Sequence, residues 1–134
     1  TVPFTTDNDK IVESIKELTD YSAYQSYVAY ENDIYSRLYC KAVDLLCDMA
    51  TTNTTQTYNK TTVSQRTLIY SINNCITKHG IAKANSLCDL ISDTLLNYEE
   101  ASKEYEIRNY SKYLKALLFD NITNFAFNLV KFDL

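Results

Sequence analysis

The chain has 134 residues, a formal net charge of −4 and an apolar fraction of 46%. This length and apolar fraction fit one folded domain, and the 13 scattered Lys and Arg residues lack the clustered positive field that nucleic-acid binding requires. The chain contains one Gly and one Pro, whereas hairpin turns, phosphate loops and Rossmann turns need glycine where φ is positive. We therefore expect a single all-α domain over residues 1–134, with residues 1–7 as a flexible leader.

The first predicted helix covers residues 9–19, with Asp7 or Asn8 as its cap, and a tyrosine-rich stretch follows it. A long second helix is predicted over residues 28–50, because apolar residues such as Ile34 recur there at helical spacing and charged residues occupy the opposite side. Residues 51–62 are almost wholly polar and include seven threonines, which indicates a surface loop.

The third predicted helix begins at a capping box, in which Thr62 is the cap and Gln65 follows three residues later. It ends at Gly80, which supplies a left-handed stop after the basic pair Lys78 and His79. His79, the single histidine, then has a structural role at the negative end of the helix dipole.

The next predicted helix, near residues 81–97, is apolar over more than half of its circumference and carries few charges. A helix of that kind is surrounded by others, so we expect it to be central and the most buried. A further helix with an acidic front and a basic back continues to Leu118, and Asp120 caps a last helix. These elements predict a bundle of six or seven helices.

Cysteines and Asn-x-Ser/Thr sequons bear on where the protein folds. Cys40 and Cys47 are seven residues apart on one predicted helix, too far to bond each other, and all four cysteines flank apolar stripes. We therefore expect buried free thiols. The even number of cysteines and the four sequons favour the alternative of a secreted helical binding module, which stays open. The other two cysteines are Cys75 and Cys88, and the sequons begin at Asn53, Asn59, Asn109 and Asn121.

The sequence has no recognisable catalytic set. One histidine cannot complete a Ser-His-Asp set or a zinc site, and the CxxC, HExxH and P-loop motifs are absent. Carboxylate pairs such as Glu99 with Glu100 are usual on solvated helix faces. The apolar stretch at residues 114–132 is interrupted by charged and amide side chains, so we expect no membrane span there. We expect a binding protein with no enzyme activity, no metal and no cofactor.

The order of these parts resembles the Bcl-2 fold. The local resemblance is to the poxviral Bcl-2-like apoptosis inhibitors, in which a Tyr- and Asn-rich first half leads to a segment similar to Leu-Cys-Asp-Met-Ala-Thr at residues 46–51. A helix that ends in glycine and a central helix similar to residues 80–87 follow. The match covers residues 28–97. Lys83 is the one basic residue placed to match the family arginine that pairs with the Asp of a bound death-motif (BH3) helix, and the Trp and Gly beside that arginine are absent here.

The resemblance implies a viral protein that inhibits host apoptosis by holding the BH3 helices of pro-apoptotic host proteins in a hydrophobic groove. The resemblance also implies that the protein is located in the host cytoplasm, or on the mitochondrial surface if a C-terminal anchor follows this chain. Other members of the fold family block innate, NF-κB-type signalling, often as dimers, so that role and a homodimer stay open. We predict a groove between the second, third and central helices, lined by Leu45, Met49, Leu68, Ile72, Ile76, Lys83, Ala84 and Leu87.

Overall fold

The computed structural model describes residues 7–52, 55–58, 61–64, 69–70, 73–74 and 81–133. These residues form a single-domain, all-α bundle, as predicted, with one short two-stranded sheet beside it. The helices are α1 (Asp7–Leu18), α2 (Tyr21–Glu31), α3 (Ile34–Thr51), α4 (Ile81–Glu104) and α5 (Tyr110–Asp133), and residues 69–70 and 73–74 are also helical. The predicted leader falls almost entirely outside the described residues. Asp7 and Asn8, the predicted caps, lie inside α1.

The polar segment after α3 contains strands rather than only a loop. Strands β1 (Thr55–Tyr58) and β2 (Thr61–Ser64) pair antiparallel. Threonine and tyrosine favour the extended backbone, because β-branched and aromatic side chains suit a pleated surface. Since Thr62 lies within β2, it does not cap a helix, and the predicted start of the third helix is wrong. The predicted stop at Gly80 lies outside the described residues.

The long helix predicted over residues 28–50 is divided in two at Asn32 and Asp33. Asn32 adopts a left-handed conformation with φ 51°, and its backbone N–H donates to the carbonyl of Val28, which ends α2. The Asp33 carboxylate then accepts hydrogen bonds from the backbone N–H of Ser36 at 3.1 Å and from its hydroxyl at 2.5 Å. Asparagine tolerates the left-handed region and aspartate is a favoured cap, so both residue types fit the break.

Helix α3 occupies the centre of the described bundle, because it packs against each of the other four helices. We predicted that the helix near residues 81–97 would be the central one, and among the described helices this prediction is wrong. That helix, the first part of α4, packs against α1, α3 and α5, while its outward face carries exposed acids such as Asp89 and Asp93. The buried residues of α3 are Ser36, Tyr39, Cys40, Ala42, Val43, Leu46, Cys47, Met49 and Ala50.

Helices α4 and α5 form a long antiparallel pair, and both are longer than predicted. Neither glycine nor proline interrupts them, and buried Leu114, Leu118 and Ile122 continue one apolar stripe past Asp120, the predicted cap. α5 begins instead at Tyr110, and Asn109 caps it, because the Asn109 side-chain oxygen accepts from the backbone N–H of Lys112 at 3.1 Å. Within the described residues, no helix has the length and apolarity that crossing a membrane requires.

Candidate binding groove

Three of the eight residues predicted to line a groove have described side chains. Met49 and Leu87 are 0% and 2% exposed, so both belong to the core rather than to a surface. Leu45 is half-buried and packs against that core. The predicted groove stays a prediction, because the other five side chains are not described. The side chains of Lys83 and Ala84, on the first turn of α4, and the whole of Leu68, Ile72 and Ile76 lie outside the described residues.

A different apolar groove lies between α3 and the second half of α4, and we call it the α3–α4 groove. Its volume is about 450 Å³, within the range of roughly 300–1,000 Å³ that is usual for ligand sites. The wall from α3 consists of Ile34, Tyr35 and Leu38. The wall from α4 consists of Ser92, Leu95, Leu96, Tyr98, Glu99 and Ser102.

Large apolar side chains are exposed on both walls of this groove. Ile34 is 75% exposed, Leu96 is 56% exposed and Tyr35 is 46% exposed. Leu95 is only 4% exposed and joins the core. Because neighbouring side chains of an α-helix point about 100° apart, Leu95 is buried in the core while Leu96 is exposed at the groove. Contiguous exposed apolar side chains are typical of interaction surfaces, and Ile34, Tyr35 and Leu96 line one groove.

Stacked tyrosine rings hold the α3 wall in place. The ring of Tyr24 stacks on that of Tyr39 with centroids 3.7 Å apart, and the ring of Tyr35 lies 6.4 Å from that of Tyr39. Tyr39 is fully buried, and its hydroxyl donates to the carbonyl oxygen of Thr19 at 2.7 Å. Burial raises the pKa of Tyr39 far above its ordinary value, so the hydroxyl keeps its proton and remains a donor. The wall is therefore anchored to the core of the bundle.

The face of α4 beside the groove is acidic. Asp89, Asp93, Glu99 and Glu100 are all exposed and flank Leu96 in the sequence. The Nζ of Lys103 lies 3.9 Å from Oε1 of Glu99, but the two side chains are 70% and 63% exposed. Water screens such a pair, which contributes little to stability. The α4 border of the groove therefore carries net negative charge.

Further hollows are present in the described part of the chain, and two of them are at least as large as this groove. One, of about 800 Å³ between α2 and α3, has charged and polar residues in its lining, among them Arg37, Lys41 and Asp44. The other, of about 490 Å³ at the α4–α5 turn, is lined by residues such as Tyr105 and Arg108. Neither has strongly exposed aliphatic side chains on two facing helices, so the α3–α4 groove is the stronger candidate.

The three described cysteines pack as part of the bundle. Cys40, Cys47 and Cys88 are free thiols, and burial raises the pKa of Cys47 to about 11 and the pKa of each of the other two above its ordinary value. A neutral thiol is a poor nucleophile. Cys88 donates to the carbonyl oxygen of Leu18 at 3.2 Å, which connects α4 to the end of α1. No group of His, Cys, Asp and Glu side chains among the described residues could hold a metal ion, and Cys75 and His79 lie outside those residues.

The groove was missed from the sequence because helical spacing assigned Ile34 to the buried stripe of one long helix. The break at Asn32 and Asp33 makes Ile34 the first residue of α3, where it is exposed. The adjacent leucines at 95 and 96, flanked by Asp93 and Glu99, were the available signal, because a helix cannot bury both of them on one face.

No model of a known protein family, no curated protein and no solved structure matches this chain at a significant level. The geometry of the groove is therefore the basis for assigning a function.

Proposed function

We propose that the protein is a binding module that holds an amphipathic helix of a partner protein in the α3–α4 groove. One observation carries the proposal: a strongly exposed aliphatic side chain stands on each wall, Ile34 on α3 and Leu96 on α4. Peptide helices commonly bind in this way, with an apolar face laid into a groove and anchors at helical spacing. The proposal assigns the chain a role in binding rather than in catalysis.

The energetics of the groove suit such a ligand. Fully burying a large apolar side chain is worth about 1.5–3 kcal/mol relative to leaving it exposed. Ile34, Tyr35 and Leu96 would each contribute part of this, in addition to the anchors of the partner helix. Because the Tyr24–Tyr39 stack already holds the α3 wall, that wall loses little conformational entropy on binding. Micromolar affinity, which requires about −8 kcal/mol, is a reasonable expectation.

For the partner, we propose the BH3 helices of pro-apoptotic host proteins, which makes the chain a Bcl-2-like apoptosis inhibitor acting in the host cytoplasm. The all-α single-domain bundle supports this assignment, as does the sequence resemblance at residues 46–51 and 80–87. The three free thiols favour it over a secreted module, because small secreted domains usually carry disulfides. The groove predicted around Lys83 is the alternative location on the same bundle.

Calorimetric titration of the 134-residue chain with a panel of BH3 peptides tests this proposal. We expect at least one peptide to bind with micromolar affinity or better, and Leu96→Glu to weaken that binding at least tenfold, because the new carboxylate would be buried in an apolar contact. The matched control is Tyr105→Glu, which changes another exposed apolar residue, 69% exposed, outside the groove. Circular dichroism of each variant verifies its fold.

Two outcomes of the titration contradict the proposal. If no peptide binds at tens of micromolar, BH3 helices are not the partner. If Lys83→Glu abolishes binding while Leu96→Glu leaves it unchanged, the ligand occupies the groove predicted from the sequence and not the α3–α4 groove.

A further inference from the structure

We infer that the α3–α4 groove selects partner helices by charge and accepts those with Lys or Arg residues along the edge that faces α4. This inference rests on the proposed function and names the chemistry of the partner. The described side chains of α4 from Leu87 onward include one basic residue, Lys103. The acidic residues in the same stretch are Asp89, Asp93, Glu99, Glu100 and Glu104.

Helical spacing places several of these carboxylates around the exposed leucine. Asp93 and Glu100 are three residues before and four residues after Leu96, so both share its side of the helix. Glu99 lines the groove itself. A helix that covers Leu96 must therefore bring one of its own edges close to these carboxylates.

The basic residues of α3 do not offset this charge. Arg37 and Lys41 line the hollow on the α2 side of α3 and are not part of the α3–α4 groove lining. The Arg37 guanidinium also donates to the side-chain oxygen of Asn32. The two edges of the groove consequently differ: the α4 edge is acidic, and the basic side chains of α3 lie toward α2.

This asymmetry predicts both the charge and the orientation of the ligand. A carboxylate facing a Lys or Arg at a partly exposed edge strengthens binding by about fivefold at most, and a like charge weakens it by a similar factor. Several such pairs along one edge give a preference of about tenfold or more. An acidic residue of the same partner helix, such as the Asp of a BH3 motif, is expected on the flank that faces away from α4.

Two peptides with identical apolar anchors test the inference. Both peptides derive from the BH3 peptide of the panel that binds most tightly. The residues on the flank that faces α4 are replaced by Lys in one peptide and by Glu in the other. We expect the Lys peptide to bind the wild-type chain at least tenfold more tightly, and this preference to shrink as salt is added. In the double variant Asp93→Lys, Glu100→Lys the preference should disappear or reverse.

The control is Glu13→Lys, Glu17→Lys on α1, which changes the net charge equally at exposed residues that do not line the groove. It should keep the preference for the Lys peptide. Equal binding of both peptides to the wild-type chain, a preference that survives the α4 double variant, or one lost equally in the α1 variant would each overturn the inference while leaving the groove intact. Binding of no peptide in the parent BH3 panel would instead contradict the proposed function itself.

Discussion

At the scale of single residues, Tyr39 connects the groove wall to the rest of the bundle. Its ring stacks on Tyr24 of α2, and its hydroxyl satisfies the carbonyl oxygen of Thr19, which lies between α1 and α2. Thr19 is itself fully buried, so water cannot replace that donor without a rearrangement of the backbone. One side chain of α3 therefore holds the start of α2 and the aromatic support of the groove together.

We expect Tyr39→Phe to lower the free energy of unfolding by about 1–2 kcal/mol, because the substitution keeps the ring and leaves a buried carbonyl without a partner. Tyr30→Phe is the control, since Tyr30 is 89% exposed and should tolerate the loss of its hydroxyl. Urea unfolding of both variants measures the difference. Equal stability of the two variants would mean that the hydrogen bond to Thr19 contributes nothing.

The buried thiol of Cys47 makes stability depend on pH in the alkaline range. Burial raises its pKa from an ordinary value of 9.0 to about 11, so the folded state holds the thiol proton more tightly than the unfolded chain does. Its contribution to stability is fully present below pH 9 and is lost as the pH rises to about 11.

We therefore expect the free energy of unfolding to fall between pH 9 and about 11, and to fall less steeply in Cys47→Ala. The thiols Cys40 and Cys88 act in the same direction, as do Tyr21, Tyr24 and Tyr39, because burial raises the pKa of all five groups. Together they account for the fall that persists in the variant. Urea unfolding at a series of pH values gives both slopes. Parallel curves for the wild type and Cys47→Ala would show that this thiol does not titrate differently in the two states.

At the scale of the elements, the break between α2 and α3 determines the shape of the groove. If residues 28–50 formed one helix, Ile34 would lie in its middle. Because Asn32 takes a left-handed conformation and Asp33 caps a new helix, Ile34 begins α3 and projects into solvent at the end of the groove. The cap is thus a structural requirement of the proposed site.

Asp33→Ala should lower the thermal midpoint by a few degrees, because the backbone N–H of Ser36 loses its acceptor. Asp33→Asn should retain most of the stability, since its amide oxygen can accept the same hydrogen bond. Thermal unfolding followed by circular dichroism compares the two. A loss of equal size in both variants would show that the charge of Asp33, and not the cap, matters.

The sequence predicts the helical class and most helices, because scarcity of Gly and Pro and the spacing of apolar residues are local properties. It does not predict where α3 begins, because the polar residues Glu31, Asn32 and Asp33 also fit the charged side of one long helix. Nor does it predict the strands β1 and β2, which form without glycine in either strand. The exposure of Leu96 depends on how α3 and α4 pack, which periodicity within one helix does not specify.

At the scale of the whole molecule, α3 is central among the described helices, since it packs against the other four, and one end of it forms a wall of the groove. The second half of α3 packs into the core, where Leu46, Met49 and Ala50 are buried. In its first turn Ile34 and Tyr35 stay exposed, because α2 ends at Asn32 and the buried stripe of α4 leaves Leu96 exposed beside them. This division of α3 explains why a stable core and an apolar surface coexist in so small a domain.

The central claim, that a partner helix binds between α3 and α4, is tested most directly by amide chemical-shift mapping. The ¹⁵N-labelled chain is titrated with the tightest peptide of the BH3 panel, and shift changes are assigned to residues. We predict that the largest changes cluster at residues 34–38 and 92–102, the two walls of the groove. Changes that cluster instead around residues 45–49 and 83–87, or a spectrum that the peptide leaves unchanged, would contradict it.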